Sequence, residues 1–288
     1  HVEGGTFYIE NEEELALLSY RVNHGEPFYQ MTFVLARDLD LSAHEWTPIG
    51  KGAVYRADFD GNGHTISGLY INGNDDYAGL FATISGIWYV TIQNLSIKKA
   101  NVKGRDYVGC LAGEIYATTS LENIYCEARV SGRGMVGGIV GASLFTSASN
   151  DGIPKTINCL FKGGKVSGTN SVGAVVGFIK RYHEYRHTYY THAGSAVGNN
   201  NDVRAYPVYL DHSEGVSVRF DTSASGVVFN DTAYYPAGTA KFTVASDPSY
   251  SITSVKVNGT EVGTTAGTYE FNINSSQTSR SEERFSRN

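Results

Sequence analysis

The sequence predicts an all-β chain, a parallel β-helix followed by a small β-sandwich, on three observations. First, one segment recurs as Val108-Gly109-Cys110-Leu111-Ala112-Gly113, Val136-Gly137-Gly138-Ile139-Val140-Gly141 and Val172-Gly173-Ala174-Val175-Val176-Gly177, with Tyr77-Ala78-Gly79-Leu80-Phe81-Ala82 as a worn first copy. The segment starts lie 31, 28 and 36 residues apart. Second, two more columns keep nearly that beat: Ile92-Gln93-Asn94-Leu95, Leu121-Glu122-Asn123-Ile124 and Ile157-Asn158-Cys159-Leu160, then Val102-Lys103-Gly104, Val130-Ser131-Gly132 and Val166-Ser167-Gly168. Third, the stretches are rich in Val and Ile and broken by Gly, Asn or Ser too soon for helices. Three short strands per fixed period form a stacked coil.

In such a coil each strand pairs with its equivalents above and below, and inward residues form ladders. The VGGIVG glycines are expected to relieve crowding at a corner, and the asparagines to form an internal amide ladder.

Along the chain, a short strand at Phe7 to Ile9 precedes a helix opened by Asn11-Glu12-Glu13-Glu14. Asn11 and Glu14 have capping-box spacing, the acidic first turn suits the helix dipole, and Leu15, Leu18 and Val22 share a face. This helix is expected to cover the exposed first coil. Alternation over Thr32 to Leu41 and Tyr55 to Ile71 predicts early, less regular coils, and the repeated columns then run to about Gly177. Setting His187-Thr188-Tyr189-Tyr190 against Asn158-Cys159-Leu160-Phe161 extends the repeat by a step of 29, ending near Asn199. Different spacing follows, with strands expected at Val216 to Phe220, Val227 to Phe229, Ala240 to Val244, Ile252 to Val257 and Tyr269 to Ile273, and a hairpin turn at Asn258-Gly259. The expected domains are 1–202, 203–275 and a polar tail, disordered or appended, at 276–288.

Trp46-Thr47-Pro48-Ile49-Gly50, then Phe59-Asp60-Gly61-Asn62-Gly63-His64-Thr65-Ile66-Ser67-Gly68-Leu69, then the GLF and VGGIVG repeats, are ordered motifs that resemble the GLUG-motif family of bacterial surface proteins. The match runs from about Thr6 to Gly198. The resemblance implies a right-handed parallel β-helix, secreted or displayed on the cell surface, its function generally uncharacterised; some relatives attach such repeats to immunoglobulin-cleaving metallopeptidases. The text around Tyr234-Tyr235-Pro236, Val255-Lys256-Val257 and Gly267-Thr268-Tyr269 resembles bacterial Ig-like repeats.

With 23 basic and 29 acidic residues, a formal charge of −6 and no basic block in a repeat, the chain is a poor partner for nucleic acid or anionic membrane. Neutral glycans, host proteins and other domains of the same surface protein remain. No stretch reaches membrane-span length, and no charged-then-apolar leader opens the sequence, so an exported protein would have had its leader removed. Cys110, Cys126 and Cys159 sit in repeat segments and read as small buried residues.

Three features could carry chemistry. His183-Glu184-Tyr185-Arg186-His187 spells H-E-x-x-H, with His192 as a possible third ligand. A zinc peptidase needs both histidines one helical turn apart, whereas His187 falls on a strand column; the reading here is an exposed aromatic loop, with no metal or other cofactor. Asp38, Asp40, Asp58 and Asp60 could bind calcium or act as acid and base, with only Arg37 and Arg56 as nearby basic partners. Asp60-Gly61-Asn62-Gly63 nonetheless reads as a structural turn. Tyr182, Tyr185, Tyr189, Tyr190, Tyr206 and Tyr209 could stack on sugars or cover the end of the coil. Trp46 and Trp88 read as packing residues.

The expected function is a non-catalytic surface module, an adhesin or glycan- or protein-binding rod. Its expected ligand-binding residues are Tyr182, His183, Tyr185, His187, Tyr189, Tyr190 and His192, on a turn insertion at Arg181 to His192. The alternatives are a carbohydrate-active lyase or hydrolase and a passive spacer.

Overall fold

The computed structural model describes residues 5–86, 89–116, 118–145, 152–191, 203–208, 216–222, 225–229, 232–257 and 260–273. Trp88, His192, Tyr209, the Asn258-Gly259 turn and the polar tail lie outside them. The chain divides into two compact units, His1–Val203 and Arg204–Asn288.

The first unit is a β-solenoid of about 6 turns. On one face Gly5–Ile9, Met31–Leu35, Asp58–Asp60, Val90–Lys103 and Thr119–Ser131 pair successively in parallel. Lys155–Ile157 and Glu184–Arg186 continue the rungs. A second sheet stacks Phe81–Ile84, Ala112–Tyr116, Val140–Leu144 and Val176–Ile179. A third stacks Asp106–Val108, Gly134–Gly137 and Asn170–Gly173. Strands inside each stack pair with the rungs above and below, which satisfies their backbone without antiparallel hairpins.

The inward ladders form one apolar core. The valine column holds as expected, Val102 opposite Val130 and Val130 opposite Val166, all buried. Cys110, Cys126 and Cys159 are fully buried free thiols within this core. Desolvation pushes the Cys126 thiol well up and the Cys159 thiol up to about 12.

The repeat glycines are needed for room. A Cβ at Gly137 would lie 1.9 Å from the Val140 carbonyl oxygen, and one at Gly141 2.4 Å from that of Gly113. Backbones of neighbouring segments meet here with no space for a side chain.

Two columns need a register correction. Ala78, not Tyr77, faces Val108, while Phe81 faces Ala112; the first copy is one residue shorter across the corner. Thr156, not Ile157, faces Leu121, which returns Asn158 to the asparagine column. That column is a corner in the left-handed region, with φ of 53°, 54°, 51° and 45° at Asn94, Asn123, Asn158 and His187. Asparagine tolerates this conformation better than most residues with a Cβ.

The helix Glu12–Asn23 begins as its sequence predicts, Asn11 Oδ1 accepting from Glu14 N at 2.9 Å. Leu15, Leu18 and Val22 are buried in the solenoid core. Ser19 Oγ donates to Thr47 O and Asn23 Nδ2 to Pro48 O, fastening the helix to the segment that leads into Gly50.

In the second unit Val216–Asp221, Gly238–Ser246 and Gly267–Ile273 form one antiparallel sheet. Val203–Val208, Thr232–Pro236 and Val227–Phe229 form another. Tyr206, Ala233 and Tyr235 of the latter share a buried cluster with Ala240 and Ile273 of the former. Val255–Val257 and Thr260–Gly263 pair antiparallel on either side of the predicted turn. Strands at 203–208 and 232–236 lie outside the expected runs, because Pro207 and Pro236 hide them from propensity, while 260–263 is the second arm of the expected hairpin.

Candidate ligand-binding site

The predicted aromatic loop is not a loop. Glu184–Arg186 and Tyr189–Tyr190 are strands, Thr156 facing Tyr185 and Leu160 facing Tyr189. Arg181 through Thr191 therefore continues the stack, as the 29-residue step implies, and the insertion reading is corrected. The three residues between the histidines of H-E-x-x-H, Glu184–Arg186, form a strand, so the histidines at its two ends do not share one helical face.

Each histidine has a structural place. His183 Nδ1 lies 2.9 Å from Ser143 Oγ and Nε2 3.2 Å from Thr156 Oγ1. Burial lowers its pKa to about 3, so the ring is neutral and uses one nitrogen as donor and the other as acceptor. His187 Nδ1 lies 3.2 Å from Asn158 Oδ1, at the end of a ladder. Asn158 Nδ2 donates to Asn123 Oδ1 (3.3 Å), Asn123 Nδ2 to Asn94 Oδ1 (2.9 Å) and Asn94 Nδ2 to Asp60 Oδ1 (3.1 Å). This is the expected amide ladder, but on an outer corner rather than inside, because the left-handed turn leaves Asn123 exposed. Tyr189 is buried, Tyr185 and Tyr190 pack partly against the core, and only Tyr182, 57% exposed, projects. Among the described residues of the predicted set, the His183 and Tyr185 rings lie 4.6 Å apart.

The four aspartates are turn and rung caps. Asp38 Oδ1 accepts from Thr65 N (2.9 Å) and pairs with His64, Asp40 from Ser42 N (3.0 Å), Asp58 from Thr91 N (2.7 Å) and Asp60 from Asn62 N (2.7 Å). Backbone N–H groups hold the Asp38 and Asp40 carboxyls below the usual range, whereas burial raises Asp58. Among the described residues no group of three His, Cys, Asp or Glu is placed to hold a metal ion. Trp46 is buried, its indole N–H donating to Leu80 O at 3.0 Å.

A concave site forms elsewhere, where the irregular early coil meets the regular stack. Ile49 faces Phe81 and Tyr55 faces Ile84, so a six-residue step on one rung opposes a three-residue step on the next. The surplus residues loop outward around Gly50 and Gly52, both with positive φ. Between that loop and the strand Ala112–Tyr116 lies a notch of about 360 Å³, walled by Gly50, Tyr77, Thr83, Ser85, Glu114 and Tyr116.

Glu114 is 5% exposed and accepts a hydrogen bond from Thr83 Oγ1 at 3.2 Å. It shares another with Tyr116. Desolvation raises its pKa above the ordinary value of 4.5. Burial, then the nearby Glu114 charge, pushes Tyr116 up to about 12 and raises Tyr77 and Tyr107. Tyr77 stacks on Tyr107 at 4.7 Å and 16°. Both occupy a second left-handed corner, φ 64° and 60°, shared with Met135 and Ser171. Tyr77 also lines a second, smaller and more enclosed hollow of about 280 Å³ that carries mixed charge, with Lys51 and Asp75 paired at 2.7 Å.

Comparison with known proteins adds a partial likeness. A stretch of 121 residues is 31% identical to halomucin of Haloquadratum walsbyi, covering 38% of this chain and 1% of halomucin. Another of 104 residues is 34% identical to a protein of Evansella cellulosilytica named as a Gly-rich membrane protein, covering 33% of this chain and 12% of that protein. The chain thus spans a small fraction of the length of both relatives. No family model and no solved structure matches it. No helix among the described residues is long and apolar enough to cross a membrane.

Proposed function

We propose that the chain is a non-catalytic, ligand-binding module of a secreted or cell-surface protein, in which a stiff solenoid presents its side to a glycan or protein. In this reading it is a right-handed, GLUG-type β-helix, with the helix as its cap and an Ig-like second unit beyond. The carrying observation is that the polar side chains best suited to catalysis are taken up by the scaffold: Asp60 and His187 end the amide ladder, and His183 bridges two rungs. A glycosidase needs two carboxyl groups across a cleft, and the described residues that wall the notch supply one, Glu114. The names of the two partly matching proteins, halomucin and a Gly-rich membrane protein, support a secreted or surface location.

A screen of the intact chain against immobilised glycans and extracellular-matrix proteins, with product analysis on the same glycans, tests this. Specific capture without turnover is expected. Cleavage of a captured glycan, or no capture at all, would reject the reading.

A further inference from the structure

We propose that the notch beside the Gly50 loop is a saccharide site that takes a neutral sugar ring, Tyr77 serving as its wall and Glu114, Tyr116 and Thr83 as its polar contacts. The proposal rests on the binding-module reading and deepens it by naming the place and the ligand class.

Size comes first. A volume of about 360 Å³ lies within the range of small-molecule sites. It is far too small for the flat area of a stable protein interface, which favours a glycan over a protein partner. The outward loop is part of the fold: Gly50 N donates to Asn23 Oδ1 at 2.7 Å, and Tyr55 N rejoins the rung at Thr83 O. A Cβ at Gly50 would come within 2.9 Å of Thr83 O, so the loop lies close against the strand below.

Polarity comes second. Tyr77, Thr83, Ser85 and Tyr116 are hydroxyl side chains, each able to donate and accept. A pyranose offers the same dual groups on its rim and a C–H face for an aromatic wall. Tyr77 is pinned against Tyr107, so little side-chain freedom remains to be lost on binding. Among the described residues no lysine, arginine or histidine lines the notch, which leaves an anionic ligand without a counter-charge from them. Glu114, nine-tenths buried, uses two acceptor positions on Thr83 and Tyr116 and has capacity for a ligand hydroxyl. Burial disfavours its charged form, so a cation would gain less from it than from an exposed carboxylate.

The intact chain is applied to an array of neutral oligosaccharides of glucose, galactose, mannose and N-acetylhexosamines, together with acidic and amine-bearing glycans. Hits are then titrated against Tyr116→Phe, Glu114→Leu and Ala53→Trp. Ala53 also lines the notch, so the last variant places bulk within it, and circular dichroism checks that each variant is folded. Neutral hits weakened roughly tenfold by each variant are expected, the loss of about one well-formed contact. Neutral hits indifferent to all three folded variants overturn the site while the module reading stands. Hits confined to acidic or amine-bearing glycans overturn the ligand class. Absence of any capture, protein ligands included, removes both.

Discussion

The last described coil of the solenoid buries His183 and the notch buries Glu114, and the two regions treat the polar atoms of these titratable side chains in opposite ways. His183 has both ring nitrogens engaged by hydroxyls of two neighbouring segments, Ser143 and Thr156. Glu114 is as deeply buried, but its partners lie along the wall of an open notch. A buried group saturated by the stack is part of the stack; one with spare acceptor capacity facing space can take a ligand. The difference arises from the coils themselves, since rungs around His183 are in register whereas those around Glu114 border a looped-out segment.

The largest expected effect separates the two by stability. His183→Ala opens a cavity and strips partners from Ser143 and Thr156, and is expected to cost about 3 kcal/mol. Glu114→Gln keeps the shape and removes a group whose charge burial penalises, so it should change stability by less than about 1 kcal/mol at neutral pH. Urea denaturation of the two variants checks this. Equal losses would erase the distinction.

Next in size is the ladder that ends at His187. Asn123→Ala removes two rung-to-rung hydrogen bonds and leaves an alanine at φ 54°, so a loss of about 2 kcal/mol is expected. Asn123→Gly, which tolerates the conformation, should recover part of that loss. If the two variants denature alike, backbone strain contributes nothing and the hydrogen bonds carry the effect alone.

The pH response should have opposite signs in the two regions. An unfolded chain protonates His183 near 6.5, while the folded one resists until about 3. Stability from this group is therefore lost as pH falls from 6.5 towards 3, at up to about 1.4 kcal/mol per unit. Glu114 keeps its proton above 4.5 in the folded chain, so its contribution is lost as pH rises past that value. His183→Gln should move the stability maximum to lower pH, and Glu114→Gln to higher pH. Denaturation midpoints between pH 3 and 8 read both, and shifts in the same direction would contradict the assignments.

How legible these regions were differs for a physical reason. The rungs repeat because every coil meets the same neighbours, so Val102, Val130 and Val166 announce their column, and a 29-residue step finds His187. Corner residues are harder to place: matching Ile157 to Leu121 by apolarity puts Asn158 one position off, whereas the left-handed turn requires it in the asparagine column. The notch depends on where repetition fails. Its loop shows only once Ile49 and Tyr55 are paired with Phe81 and Ile84, contacts no local pattern encodes. One signal was available, since the column of Thr83, Glu114, Ala142 and Phe178 contains a single charged member.

The smallest effect tests whether His187 is a rung and nothing more. To face the Asn158 carbonyl oxygen, Nδ1 must carry the proton, so the ring donates as the asparagine amides do one rung earlier. His187→Asn keeps a donor on the ladder and suits φ 45° better, and should be neutral or stabilising by up to about 0.5 kcal/mol. His187→Ala loses the donor and the favourable conformation together, for about 1 kcal/mol. Neither change should alter glycan capture, because His187 does not line the notch. A histidine that asparagine replaces without loss is an interchangeable rung, whereas loss of binding in His187→Asn with stability preserved would move the functional surface back to the last coil.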